Sequence, residues 1–223
     1  MKLRDNLVLI DELLKDSFSQ PQREKENPLD VLIRTILSQN TSDKNSHRAF
    51  ANLKRKFPNW EDLIGAPEEE IEREIRCGGL SRIKAARIKE ALKRIKDKTD
   101  SLSLEFLEKL SVEEARNFLL SLPGVGDKTA SCVLLFSFGK PVFPVDTHIH
   151  RIINRLGIFG NRLNPKKIEE LVEAHLPPNR FLSLHLNLIR LGREICHPRN
   201  PDCPKCPLKE LCKFYEVRLS SQG

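Results

Sequence analysis

The segment Leu122-Pro123-Gly124-Val125-Gly126-Asp127-Lys128-Thr129-Ala130 most tightly constrains what this chain can become. An amphipathic run ends near Leu120, two glycines stand one residue apart, and a new helical pattern starts near Asp127. Glycine allows positive φ and close backbone approach, so a very short hairpin can join two successive helices. The amides at the turn and at the start of the second helix then have no partner within the helix. Together with the helix dipole they make a place for a phosphate.

The rest of the chain follows the same period. From Pro28 to Ser38, the residues Leu29, Leu32, Ile33, Ile36 and Leu37 fall on one helical face, and Pro28 suits a first turn. Similar periodicity runs through Ala49 to Phe57, Ile83 to Ile95, Val112 to Leu120 and Lys167 to His175. Proline, glycine and asparagine punctuate these runs at Phe57-Pro58-Asn59, Gly78-Gly79 and Pro177-Pro178-Asn179. Strand alternation, fixed-period repeats and low-complexity tracts are missing, so the expected fold class is all-α.

Charge and hydropathy narrow the partners. The 223 residues hold 38 Lys and Arg against 31 Asp and Glu, a net +7, which favours a polyanion through counterion release and steering. With 39% hydrophobic and 31% charged residues the chain reads as an ordinary soluble protein. Apolar stretches such as Val133-Leu134-Leu135-Phe136 fall far short of the roughly 20 residues of a membrane span. The opening Met1-Lys2-Leu3-Arg4-Asp5 lacks a signal-peptide apolar region, and a cytoplasmic, nucleoid-associated location without membrane contact is the expectation.

Two residues carry candidate chemistry. Lys128 falls in the first helical turn after the hairpin, where the dipole disfavours a cation and so favours the neutral amine that nucleophilic attack requires. Asp146, in Phe143-Pro144-Val145-Asp146-Thr147-His148-Ile149-His150-Arg151, stands where an N-cap belongs, ahead of Ile149, Ile152, Ile153 and Leu156. Capping keeps a carboxylate ionised, and an ionised carboxylate can stabilise developing positive charge or assist proton transfer. His148 and His150 are assigned packing or polar contacts and no catalytic role.

Of six cysteines, Cys77 and Cys132 stand alone and are expected as free, buried thiols. The other four read Cys196-x6-Cys203-x2-Cys206-x5-Cys212, within a segment rich in Pro, Lys and Arg. Four thiolates so close together suit either an iron–sulfur cubane or a zinc site.

Taken together, the hairpin string, Val145-Asp146-Thr147-His148 placed 18 residues after Lys128, and the cysteine spacing resemble the endonuclease III family of helix–hairpin–helix DNA glycosylases. The resemblance runs from about Leu29 to Cys212 in the family's order. It identifies Lys128 as a Schiff-base nucleophile at the sugar C1′, with β-elimination at the 3′ side to follow, and Asp146 as the catalytic aspartate. It turns the metal choice to a [4Fe–4S] cluster on Cys196, Cys203, Cys206 and Cys212, ordering a basic loop whose Lys205 would meet the DNA backbone. Gly124, Val125, Gly126 and Thr129 become the hairpin's DNA contacts. Leu37-Ser38-Gln39-Asn40-Thr41-Ser42-Asp43 matches the family's wedge loop, with the space-filling role open between Gln39 and Asn40. Gly78-Gly79-Leu80 resembles the second wedge loop, with Leu80 as the inserted side chain and Arg82 and Lys84 as phosphate contacts.

The resemblance further implies two domains, a six-helix barrel over 27–139 and a cluster domain built from 1–26 and 140–223, with the active site in the cleft between them. The expected function is base-excision repair by a monomer that flips damaged, oxidised pyrimidines out of double-stranded DNA and cleaves at abasic sites. A monofunctional adenine or thymine mismatch glycosylase is the nearest alternative, and a non-catalytic damage-binding protein is the alternative of another class. Lys128 together with Asp146 favours the enzyme.

Overall fold

Capping residues set the borders where the apolar periodicity ends. The computed structural model describes residues 3–18, 20–22, 24–160 and 162–220, and among them no strand occurs. The helices are α1 (Leu3–Ser17), α2 (Pro28–Ser38), α3 (Asp43–Lys56), α4 (Trp60–Gly65), α5 (Glu68–Ile75) and α6 (Ser81–Thr99). There follow α7 (Val112–Leu120), α8 (Asp127–Phe138), α9 (Thr147–Leu156), α10 (Pro165–His175), α11 (Phe181–Glu194) and α12 (Lys213–Ser220). At the start of α2 the Asn27 side chain accepts from the amides of Leu29 and Asp30, with Pro28 in the first turn. Ser111 and Glu114 form a reciprocal capping box on α7. Gly139 and Gly157, both left-handed, end α8 and α9.

The chain divides into two compact units, one of Lys25–Lys140 and one joining Met1–Glu24 to Pro141–Gly223. In the first, α2 packs on α8 and α3, α5 packs on α6 and α3, and α7 packs on α8. The helix α8 is buried at Thr129, Ala130, Ser131, Cys132, Val133, Leu134, Leu135, Ser137 and Phe138, so nearly every face meets protein. Such enclosure explains why its sequence is apolar without a helical stripe. Each fully buried leucine or valine of this core contributes about 1.5–3 kcal/mol.

In the second unit α11 packs on α9 and α1, and α12 packs on α9. The fully buried Asp11 fastens α1: it accepts from Arg180 Nη1 at 3.0 Å, Ser183 Oγ at 2.6 Å and Lys15 Nζ at 2.7 Å. Removing one partner from such a buried ionic group typically costs about 3–5 kcal/mol.

Candidate active site and cysteine cavity

Within the Lys25–Lys140 unit, the hairpin is shaped by one glycine more than the other. Gly124 has φ +80°, and a Cβ there would lie 2.8 Å from Arg87 Cδ. Gly126 has φ −108° and ψ −179°, an extended conformation open to any residue, and an added Cβ would meet nothing within 4 Å. Its value is the open space it leaves. Gly126 is the N-cap of α8 and has no side chain to cap the helix, and the first turn carries Asp127 and Lys128. A glycine-opened helix start is a place where backbone amides can meet an anion. Lys128 lies in that first turn, half-buried. Thr129 is only 3% exposed, so a DNA contact by this residue would come from its first-turn amide.

One loop of the same unit reaches the hairpin, and a second is tied to that loop through Lys84. Gln39 Nε2 donates to the Gly124 carbonyl at 2.8 Å, which ties this side chain to the hairpin. Asn40, beside it, is exposed and left-handed with φ 52°. Leu80 is also left-handed, φ 50°, and 52% exposed, which settles against a core leucine at this turn. A left-handed leucine is uncommon and strained. Arg82 is exposed on α6 and free to reach a phosphate, whereas Lys84 is 2% exposed. Lys84 Nζ donates to the carbonyls of Leu37 at 2.8 Å and Gly78 at 2.9 Å, so the expected phosphate contact is corrected to an internal one. Burial lowers its pKa from the ordinary lysine value. Arg87, which sequence reasoning missed, is exposed on α6 against Gly124.

Within the other unit, Asp146 caps α9, its Oδ1 accepting from the Ile149 amide at 2.8 Å. The histidines make polar and packing contacts. His150 Nε2 pairs with the Leu163 carbonyl at 2.8 Å, and His148 Nδ1 accepts from Arg151 Nη2 at 3.1 Å while filling the space that Gly192 leaves. Further along α9, Arg151 donates to the Cys196 carbonyl through Nε at 3.0 Å and Nη2 at 2.8 Å. One turn later Arg155 donates to Cys196 Sγ at 3.2 Å and to the carbonyls of His197 and Pro198 at 2.8 and 2.9 Å. Neither arginine was singled out from sequence, although their four-residue spacing places them on one helical face.

Cys196, Cys203, Cys206 and Cys212, free of disulfides, line one cavity with Arg155, Lys209, Phe214 and Tyr215 among its walls. Burial pushes the Cys206 thiol up to about 11, and the charges of the other three sulfurs push the same way. Four thiolates facing one space therefore need compensating positive charge. Among the described residues no three His, Cys, Asp or Glu side chains close on a single metal-ion position. Four cysteines lining one cavity are a donor set for an iron–sulfur cluster or a zinc ion. Lys205 is 78% exposed beside this cavity and pairs with Asp202 at 2.7 Å, an exposed ion pair that is readily exchanged for another anion. Of the lone cysteines, Cys132 is buried as expected, while Cys77 is half-buried, its Sγ 3.8 Å from the Asn45 carbonyl.

Comparisons with known proteins fit this arrangement. A protein of Arabidopsis thaliana named as a candidate DNA glycosylase is 48% identical over 206 residues, covering 88% of this chain and 69% of its own. Endonuclease III of Thermotoga maritima is 38% identical over 212 residues, covering 94% of this chain and 95% of its own. A solved structure of a trapped endonuclease III–DNA covalent intermediate superimposes with a TM-score of 0.82 at 31% identity, covering 98% of this chain and 99% of that one. The profile of the HhH-GPD superfamily base excision DNA repair proteins matches residues 33–178, a span holding the hairpin, Lys128 and Asp146. The chain belongs to that superfamily, and within it to the endonuclease III family.

Proposed function

We propose that the protein is a base-excision repair DNA glycosylase and abasic-site lyase that acts on damaged pyrimidines in duplex DNA. One observation carries this reading: Lys128 follows an uncapped, glycine-opened helix start that can hold the phosphate of the strand under attack. The Lys128 amine attacks C1′ as the bond from C1′ to the base breaks, and the base departs with the electron pair and takes up a proton. The sugar ring then opens as C1′–O4′ breaks, O4′ taking up the proton that the amine gives up, which leaves the C1′=N Schiff base. Loss of a proton from C2′ of that Schiff base breaks the C3′–O bond and expels the 3′ phosphate. Asp146, held in place by the Ile149 amide, supplies negative charge for the electron-poor sugar. Asn40, exposed and unanchored where Gln39 is fastened, takes the space-filling role opposite Leu80 when the base leaves the stack.

The cysteine cavity is assigned to a [4Fe–4S] cluster held by Cys196, Cys203, Cys206 and Cys212. When bound, such a cluster supplies iron–thiolate bonds and positive charge that order the loop. Arg155 supports Cys196 by its hydrogen bond to the sulfur, and Lys205 is presented outward to the DNA backbone. A monomer acting on double-stranded DNA in the cytoplasm, at the nucleoid, is the matching cellular reading.

Borohydride reduction tests the mechanism, because only a lysine-linked Schiff base becomes a permanent adduct. Wild-type protein is expected to yield a covalent complex with abasic duplex, and Lys128→Gln to yield none. Base release without any adduct would move the assignment to a monofunctional glycosylase, and binding without base release to a damage-binding protein.

A further inference from the structure

The ammonium of Lys84 is a buried cation whose partners, in the contacts seen, are two backbone carbonyls. Its Nζ reaches the Leu37 carbonyl, in the last turn of α2, and the Gly78 carbonyl, at the end of the 3-10 turn Arg76–Gly78. Carbonyls at helix ends lack acceptor partners within the helix, and the dipole there favours a cation. Lys84 therefore meets a local need at two chain ends at once. Its position is what matters. Leu37 lies two residues before Gln39 and three before Asn40, and Gly78 lies two residues before Leu80. The Lys84 amide also donates to the Leu80 carbonyl at 2.9 Å, so one residue holds the second loop from both main chain and side chain.

We infer that Lys84 is a positioning residue that couples the two loops entering the DNA stack, fixing the spacing between Asn40 and Leu80. This rests on the wedge assignment made under the proposed function. Other features support the need for such a strut. Asn40 and Leu80 both have positive φ, which asparagine tolerates and leucine does not, so the second loop holds a conformation that persists only if the surroundings enforce it. Gln39 fastens the first loop to the hairpin at the Gly124 carbonyl, which links both loops and the phosphate-binding turn through Lys84 and Gln39. A shift of one loop relative to the other by a fraction of the gap left by a base would misplace both plugs together.

The test compares abasic sites in duplex and in single-stranded oligonucleotides, because a single strand has no opposing stack to fill. Lys84→Met keeps the apolar stem and removes the ammonium. It is expected to lower the single-turnover cleavage rate on abasic duplex by about tenfold or more, while single-stranded cleavage stays within about twofold of wild type. Lys84→Gln, which retains a neutral N–H donor, should fall between the two, and it carries the same comparison if the Met variant loses its helical circular dichroism. Equal losses on both substrates would reduce Lys84 to a fold-holding residue and overturn the inference, as would no loss on either. Leu80→Ala and Asn40→Ala read the underlying assignment separately. If neither slows duplex cleavage, the wedge assignment fails; if they do and Lys84→Met does not, the strut alone fails.

Discussion

The helices α8 and α9 begin in opposite ways, and each carries one of the two proposed catalytic residues at its start. α8 opens on Gly126, which caps nothing, and places a cation, Lys128, in its first turn. α9 opens on Asp146, whose carboxylate closes the helix internally on the Ile149 amide. The first start has no side chain at its cap position, while the second is capped by its own carboxylate. A family that cuts a phosphodiester chain needs both. In the proposed mechanism the glycine-opened start meets the backbone and presents the lysine, and the capped start fixes the position of the carboxylate.

Substitutions at these starts should separate the two designs. The largest effect is expected for Lys128→Gln, which should reduce adduct formation and strand cleavage by more than about 10³-fold, with the thermal midpoint unchanged because Lys128 is half-buried at a helix end. Next comes Asp146→Asn, which retains a capping oxygen. Its cleavage rate should fall by about 10²-fold while stability changes by under about 0.5 kcal/mol. Asp146→Ala should add the cap loss, near 1 kcal/mol in denaturant melts. Equal stability of the Asn and Ala variants would show that the cap is not formed in solution. A smaller effect is expected at the hairpin: Gly124→Ala must adopt φ +80° beside Arg87, which should cost about 1–2 kcal/mol of stability. Smallest is Gly126→Asp, which gives α8 the kind of start α9 has. It should stabilise the protein by a few tenths of a kcal/mol and weaken duplex binding about three- to tenfold at low salt. Tighter binding in that variant would refute an anion site at the α8 start.

Legibility followed how local each signal was. The hairpin glycines, the Asp146 cap and the four cysteines each sit within a short stretch, and their geometry depends on immediate neighbours. The borders of α2 and α7 were likewise readable, because Pro28 opens the first and the apolar period from Val112 to Leu120 spans the second. Lys84 was misread and Gln39 left open because partners of both lie far away in sequence. Lys84 meets a carbonyl 47 residues back, and Gln39 one 85 residues ahead. A clue to Lys84 was present. It shares the α6 stripe of Ala85, Ile88, Ala91, Leu92 and Ile95, a core-facing position that a phosphate contact would not occupy. Thr129 gave no such sign, since α8 is enclosed on nearly all sides and its burial has no period to read.

Leu80 sets function against durability. Its left-handed backbone is one that glycine adopts freely and leucine resists, and its exposed side chain adds little to the core. A laboratory selection for heat resistance alone would be drawn to Leu80→Gly, and the survivors would be sturdier proteins with one plug missing. Screens that score melting temperature without scoring repair would thus select against the very side chain that the proposed base extrusion uses.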